Sequence, residues 1–189
     1  MGSSSCFSVG LLKALSILNK QKLNGLNLGK KAISFEQNFM KEIVGSQDQV
    51  AASVGGFNKI TFFNQNKIKI KKIPNKNLER LNSNLILLYT GIQRKAHNIA
   101  KTYVKKLSST KEKNVFKIMQ HVDLAEKLIL DGELNDFGML MNDSWEEKKK
   151  LGKIISNNKI DQLYDFSLKN GAIGGKLLGA GGGLSLIHI

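Results

Sequence analysis

Cysteine and proline occur once each, as Cys6 and Pro74, and arginine only twice, as Arg80 and Arg94. One thiol cannot build a disulfide frame, so the chain is expected to rely on packing alone, in a reducing, cytoplasmic setting. No uninterrupted apolar run approaches the roughly 20 residues of a membrane-spanning helix, and no membrane partner is expected. The three histidines, His97, His121 and His188, are far apart in the chain. None stands at metal-ligand spacing from the cysteine, which argues against a metal held only by nitrogen and sulfur. A secretory signal would place basic residues ahead of its apolar stretch, yet the first lysine is Lys13, inside the apolar pattern. N-myristoylation would want Ser or Thr where Cys6 stands. Phe7, Leu11, Leu12, Leu15 and Leu18 continue a helical stripe directly after Gly2–Ser5, so the opening reads as structure and not as a tag remnant.

What is present is an ordinary globular balance, 41% hydrophobic and 23% charged over 189 residues, enough for one good core or two small lobes. The formal net charge is +14. Clustered cations would suggest nucleic acid, because they release counterions on meeting phosphates. Here the excess is nearly all lysine, mixed with asparagine and spread from Lys20 to Lys176, with few of the arginines that make bidentate phosphate or guanine contacts. The charge therefore reads as a solvated surface that attracts a small polyanion such as a nucleotide. A basic nucleic-acid-binding module is the rival outside the enzymes.

Periodicity predicts a helix over 4–20, a Gly and Asn loop over 24–29, and a second helix over 30–43 that buries Ile33, Phe35, Phe39 and Met40. Around "KITFFNQNKIKIKKIP" the period falls to two, predicting a hairpin with Ile60, Phe62, Ile68 and Ile70 on one face and a turn at Asn64–Asn66. Pro74 to Asn77 marks a lobe boundary. "LILLYTG", Leu85–Gly91, reads as a strand buried on both faces. Helices follow at 94–107, 111–131, 134–151 and 159–170, with Gly171 as a stop. Strands beside runs of helices predict an α+β architecture.

Three stretches carry chemistry. "GSSS", Gly2–Ser5, stands at a helix start, where free N–H groups and the positive dipole end can cradle phosphate; taken alone, a plain N-cap is the simpler reading. "GSQDQVAASVGG" sets Asp48 between Gln47 and Gln49. That acid is a helix cap, a turn former, or a base poised on a substrate hydroxyl. "GGKLLGAGGG", Gly174–Gly183, costs backbone entropy, and its alternatives are a flexible loop or a close approach to ligand. It is neither a Walker A loop, since Leu177 follows the lysine, nor a dinucleotide fingerprint, since no helix of useful length can follow.

Together these three stretches resemble the GHMP kinases, the family of galactokinase, homoserine kinase and mevalonate kinase. "VGSQDQVAASVGGFN", "LLYTGIQRKA" and "MNDSWEEKK…IDQLYDFSLKNGAIGGKLLGAGGG" are most similar to the family's branch that acts on a heptose 7-phosphate. The likeness runs from Met1 to Gly183 and departs from the family pattern in two places. The family's early strands are absent ahead of Met1, and "LSLIHI" replaces the expected Gly and strand after Gly183, so the tail 184–189 is expected to be artefactual and carries no assigned role.

The resemblance implies a fold: the remainder of a domain like the second domain of ribosomal protein S5 over 1–77, then a ferredoxin-like GHMP kinase C-terminal domain over 78–183. It implies an ATP-dependent, Mg²⁺-requiring enzyme that phosphorylates a sugar phosphate at its anomeric hydroxyl. Other family substrates, galactose, fucose or mevalonate, are the alternative. By the same resemblance Gly2, Ser3, Ser4 and Ser5 cradle phosphates, joined by Gly179, Ala180, Gly181, Gly182 and Gly183. Ser4 and Glu36 are the magnesium partners, Asp48 is the catalytic base, and Gln47 and Arg94 contact the acceptor. Cys6, Trp145 and the histidines read as structural or incidental. Without the early strands, the chain by itself is expected to be poorly stable and catalytically weak.

Overall fold

The computed structural model describes residues 2–63, 67–93, 96–107 and 109–189, which divide into two compact units at the Lys72–Ile73 junction.

In the first unit, α1 (Ser3–Leu18) packs against α2 (Gly25–Ser34) and α3 (Gln47–Val54), and a hairpin of β1 (Asn58–Phe62) and β2 (Ile68–Lys72) follows. The face that α1 buries consists of Ser5, Ser8, Val9 and Ser16. Small side chains there let α2 come close, and Val9 meets Leu28 and Ala32 in a compact core. The large residues Phe7, Leu15 and Leu18 are exposed. The hairpin has the expected antiparallel register, with Ile60 opposite Ile70 and Phe62 opposite Ile68; its turn lies outside the described residues.

Two expectations for this unit are corrected. The segment expected to be a loop at 24–29 is largely helical, since α2 starts at Gly25. Leu28 and Ala32, four apart, are drawn onto α1, and their burial overrides the weak helix propensity of Gly and Asn. The second helix does not run to 43: it widens into a single π turn at Phe35–Phe39, closed by the Met40 amide donating to the Phe35 carbonyl at 2.9 Å. Phe39 and Met40, expected in the core, are 78% and 53% exposed. The wider turn rotates the helix face, and the residue buried there is Glu36.

In the second unit, α4 (Leu78–Asn84) leads into β3 (Ile86–Tyr89). There follow α5 (Ala96–Tyr103), α6 (Glu112–Asp131), α7 (Leu134–Lys149) and α8 (Asn158–Lys169), then β4 (Gly175–Leu177) and β5 (Ser185–His188). The Asn77 amide donates to the carbonyls of Ile129 and Leu130, both at 2.9 Å, and so caps the end of α6. The three strands form an antiparallel sheet in the order β3-β5-β4. Its core is Trp145, Ile155, Ile160, Tyr164, Leu177 and Leu186. "LILLYTG" is therefore an edge strand, with Ile86, Leu87 and Tyr89 more than half exposed, and not a strand buried on both faces. Among the described residues it pairs along one side only, which halves what it can bury.

"LSLIHI" supplies the central strand of the sheet, placing Leu186 and His188 inward at 0% and 1% exposure. Pairing on both sides satisfies the backbone of β5, and Leu186 and His188, two apart, share the face packed against Tyr164 and Trp145. The α+β architecture is as expected.

Candidate active site

Within the first unit, the opening "GSSS" and "QDQ" meet. Gly2 adopts φ 61°, a left-handed conformation that glycine takes without penalty, and its carbonyl accepts the Cys6 amide at 2.8 Å to start α1. A side chain on Gly2 would begin 3.2 Å from Asp48 Oδ2, so the carboxylate of α3 lies against the bare head of α1. No side chain caps that helix, and no acid stands in its first turn. The first N–H groups of a helix lack intrahelical acceptors, so this head offers donors and partial positive charge beside an exposed carboxylate.

The hydroxyls divide in two directions. Ser3 and Ser4 are exposed, whereas Ser5 is buried and donates to Glu36 Oε2 at 3.0 Å. Gln49, fully buried, donates to the same oxygen at 2.5 Å. Glu36 is 4% exposed, and its Oε1 has no hydrogen-bond partner among the described residues. A buried carboxylate with one satisfied and one bare oxygen is costly unless a cation or donor faces it. Magnesium favours such a hard oxygen and commonly takes one or two carboxylates plus nucleotide phosphates, so the residues present fit the ion. Among the described residues no group of three His, Cys, Asp or Glu could hold a metal without such outside ligands.

The amides of "QDQ" diverge as neighbours on a helix must: Gln49 turns inward, while Gln47 is exposed. The structure thus places Gly2, Asp48, Ser5, Gln49 and Glu36 together. The Ser5–Glu36–Gln49 contact was not read from the sequence; the only hint was that Asp48 stood between two amides. Arg94 lies outside the described residues.

In the second unit, the glycine loop is held by its own surroundings. The Gly182 amide donates to the Ile155 carbonyl at 2.8 Å, and Lys148 Nζ donates to the carbonyls of Leu177 at 2.8 Å and Gly179 at 2.6 Å. Tyr103 donates to the Ala180 carbonyl at 3.3 Å. Gly181 has φ 112°, and a side chain there would start 2.9 Å from the Ile155 Cα. The loop therefore has a steric need for glycine from its own protein neighbours. Behind it, Glu147 accepts from Asn114 at 2.8 Å, Lys150 at 2.9 Å and Lys117 at 3.4 Å. Those bonds, the one from Lys150 foremost, hold its carboxyl down at about 2. Lys176 on β4 is pushed below the usual lysine range by burial.

Residues 125–189 match the family "GHMP kinases C terminal". That stretch is similar to the C-terminal domain of the GHMP kinases. Over 186 residues it is 29% identical to D-glycero-alpha-D-manno-heptose 7-phosphate kinase of Campylobacter jejuni, a match that covers 97% of this chain and 55% of that protein. The fold is shared with a D-glycero-D-manno-heptose 1-phosphate kinase from Bacteriodes thetaiotaomicron, with TM-score 0.73 and 24% identity, over 100% of this chain and 52% of the other. It is also shared with L. major mevalonate kinase, solved with R-mevalonate, with TM-score 0.71 and 21% identity, over 99% of this chain and 56% of that one. The chain thus spans about half the length of the relatives it matches.

Proposed function

We propose that the chain belongs to a soluble, cytoplasmic ATP-dependent sugar kinase that phosphorylates an anomeric hydroxyl. The best-supported acceptor is D-glycero-D-manno-heptose 7-phosphate, giving the 1,7-bisphosphate. The observation that carries this reading is the carboxylate of Asp48 lying against the head of α1 at Gly2. Phosphoryl transfer needs an anchored triphosphate, an in-line hydroxyl and a group that takes the hydroxyl proton. The head of α1, with Ser3 and Ser4, offers donors to the phosphates, and Asp48 stands within reach of a hydroxyl placed there. The new bond joins the anomeric oxygen to the γ-phosphorus, the bond to the β-phosphate oxygen breaks to release ADP, and the proton passes to Asp48. Magnesium, when bound, neutralises phosphate charge; Glu36 Oε1 and the Ser4 hydroxyl are the groups that would hold it. Gly179–Gly183, Gln47 and Arg94 complete the proposal as phosphate and acceptor contacts. No helix of the described residues is long and apolar enough to cross a membrane.

The test is ADP release by the complete gene product with heptose 7-phosphate, galactose, fucose or mevalonate as acceptor. Asp48→Asn is expected to lower kcat by roughly 10²–10⁴-fold while ATP affinity holds. Unchanged turnover in that variant, or no turnover with any acceptor, would overturn the reading.

A further inference from the structure

On α7, Trp145 and Lys148 stand three residues apart and so share one face of the helix. The indole is fully buried, and Lys148 Nζ lies 5.9 Å from the centre of its ring, so the lysine rises from the core of the second unit. Its ammonium ends at the glycine loop, where it donates to two neutral carbonyls, Leu177 at 2.8 Å and Gly179 at 2.6 Å. From α5, the Tyr103 hydroxyl donates to the carbonyl that follows, Ala180, at 3.3 Å. Two helices thus grip three carbonyls of the stretch 177–180. A charged donor makes the stronger bond, so the lysine is the firmer of the two holds.

Holding a carbonyl also aims an amide. In a planar trans peptide the C=O of one residue and the N–H of the next point in opposite directions. The amide opposite the Leu177 carbonyl is already used, since Leu178 donates to the Ser185 carbonyl at 3.0 Å. The amides opposite the Gly179 and Ala180 carbonyls, those of Ala180 and Gly181, face away from Lys148 and Tyr103. The Ala180 amide meets no acceptor among the described residues. Gly179 at φ 71° and Gly181 at φ 112° set left-handed residues on either side of Ala180. Such an alternation of hand gathers successive N–H groups into a concavity for an anion.

We infer that Lys148 is a positioning residue: with Tyr103 it holds the loop's carbonyls so that the amides of Ala180 and Gly181 are presented to a phosphate, which the lysine itself does not touch. The inference rests on the kinase reading, in which this loop contacts phosphate, and adds the side chain that aims the loop. The glycines are visible in the sequence as a run; the lysine that orients them stands 29 and 31 residues away from the carbonyls it holds.

The test follows the amide resonances of Ala180 and Gly181 by NMR in the isotope-labelled chain as tripolyphosphate is added at constant ionic strength. Both are expected to shift in the wild type and to saturate. Lys148→Met keeps an apolar stem and removes the ammonium; it should abolish the shift at Ala180 and weaken tripolyphosphate binding by ~10-fold. Lys149→Met removes the same charge beside the same ring, from a lysine paired with Glu146 at 2.7 Å, and should change neither. Tyr103→Phe, which keeps charge and ring, should reduce the shift at Gly181 alone, and it tests the same geometry if Lys148→Met does not fold. In the complete gene product Lys148→Met is expected to lower kcat by ~10²-fold while the acceptor KM holds. Wild-type amides that do not move overturn the inference, as do equal effects of the two lysine variants. An Ala180 amide that still shifts at saturation in Lys148→Met would make the lysine a direct phosphate contact and overturns it too. A folded Lys148→Met variant with full kcat reduces the lysine to a structural role. Amides that shift as expected in a protein that phosphorylates no acceptor overturn the kinase reading and leave the aimed loop standing.

Discussion

Two residues show how much of the site depends on atoms that a sequence does not order. Gly2 was legible as a phosphate-loop glycine, but its steric reason is Asp48, whose Oδ2 would stand 3.2 Å from any side chain there. Gly2→Ala is expected to cost ~1–2 kcal/mol from the left-handed backbone alone and to push the carboxylate aside. Thermal unfolding and nucleotide affinity should both fall, and an unaltered affinity would separate this glycine from the site. Glu36 is the second case. Its removal as Glu36→Ala strips the acceptor from Gln49, a buried amide with no other hydrogen-bond partner among the described residues, and from the Ser5 hydroxyl. A buried donor left without a partner costs about 1–3 kcal/mol, measurable as a lower urea midpoint at constant slope. The motif made Asp48 readable because its neighbours are adjacent in the chain. Ser5 and Gln49 were not readable as partners, because their meeting depends on a π turn that presents Glu36 from 31 and 13 residues away.

Elements were legible where their periodicity was long and strong, as in α6, α7 and α8, and ambiguous where runs were short. A run such as "LILLYTG" has the same composition whether it is central or at an edge; only the partner on its other side decides, and among the described residues it has a partner on one side alone. In the tail, Leu186 and His188 alternate inward, which is a strand signal. Leu186→Ala, at a site with 0% exposure, is expected to destabilise the second unit by ~2–5 kcal/mol. Trp145, the single tryptophan, lies in the same core and reports the loss by fluorescence. Unchanged unfolding would show that β5 is not the central strand. The link between α6 and α7 has its own signature in pH. Glu147 lies at about 2 when folded against an ordinary 4.5, so its contribution is complete above 4.5 and is lost as pH falls through that window. Its lysine partners are more than half exposed, so screening leaves ~1 kcal/mol of stability that Glu147→Gln should remove at neutral pH. In that variant the slope of stability between pH 4.5 and 2 should flatten; an identical slope would show that the carboxylate is not held by these partners.

At the scale of the whole molecule two opposing forces act on the same surface. A net charge of +14 repels other copies of the chain and draws in polyanions. Yet α1 leaves Phe7, Leu11, Leu15 and Leu18 exposed, at 71%, 39%, 44% and 78%, along one helical face. That stripe was visible in the sequence as an amphipathic pattern; that it would stay outside was not, because the serine face, and not the leucine face, is the one small enough to admit α2. Charge should dominate at low ionic strength, where screening extends over tens of ångströms, and should fade at 1 M salt, where the Debye length is about 3 Å. The chain is therefore expected to be monomeric in dilute buffer and to self-associate as salt rises, the opposite of an assembly held by ion pairs. Sedimentation velocity across a salt series checks this, with Leu15→Lys and Leu18→Lys expected to keep the chain monomeric throughout. An oligomer that dissociates on adding salt would mean that opposite charges, and not this apolar face, govern how copies of the chain meet.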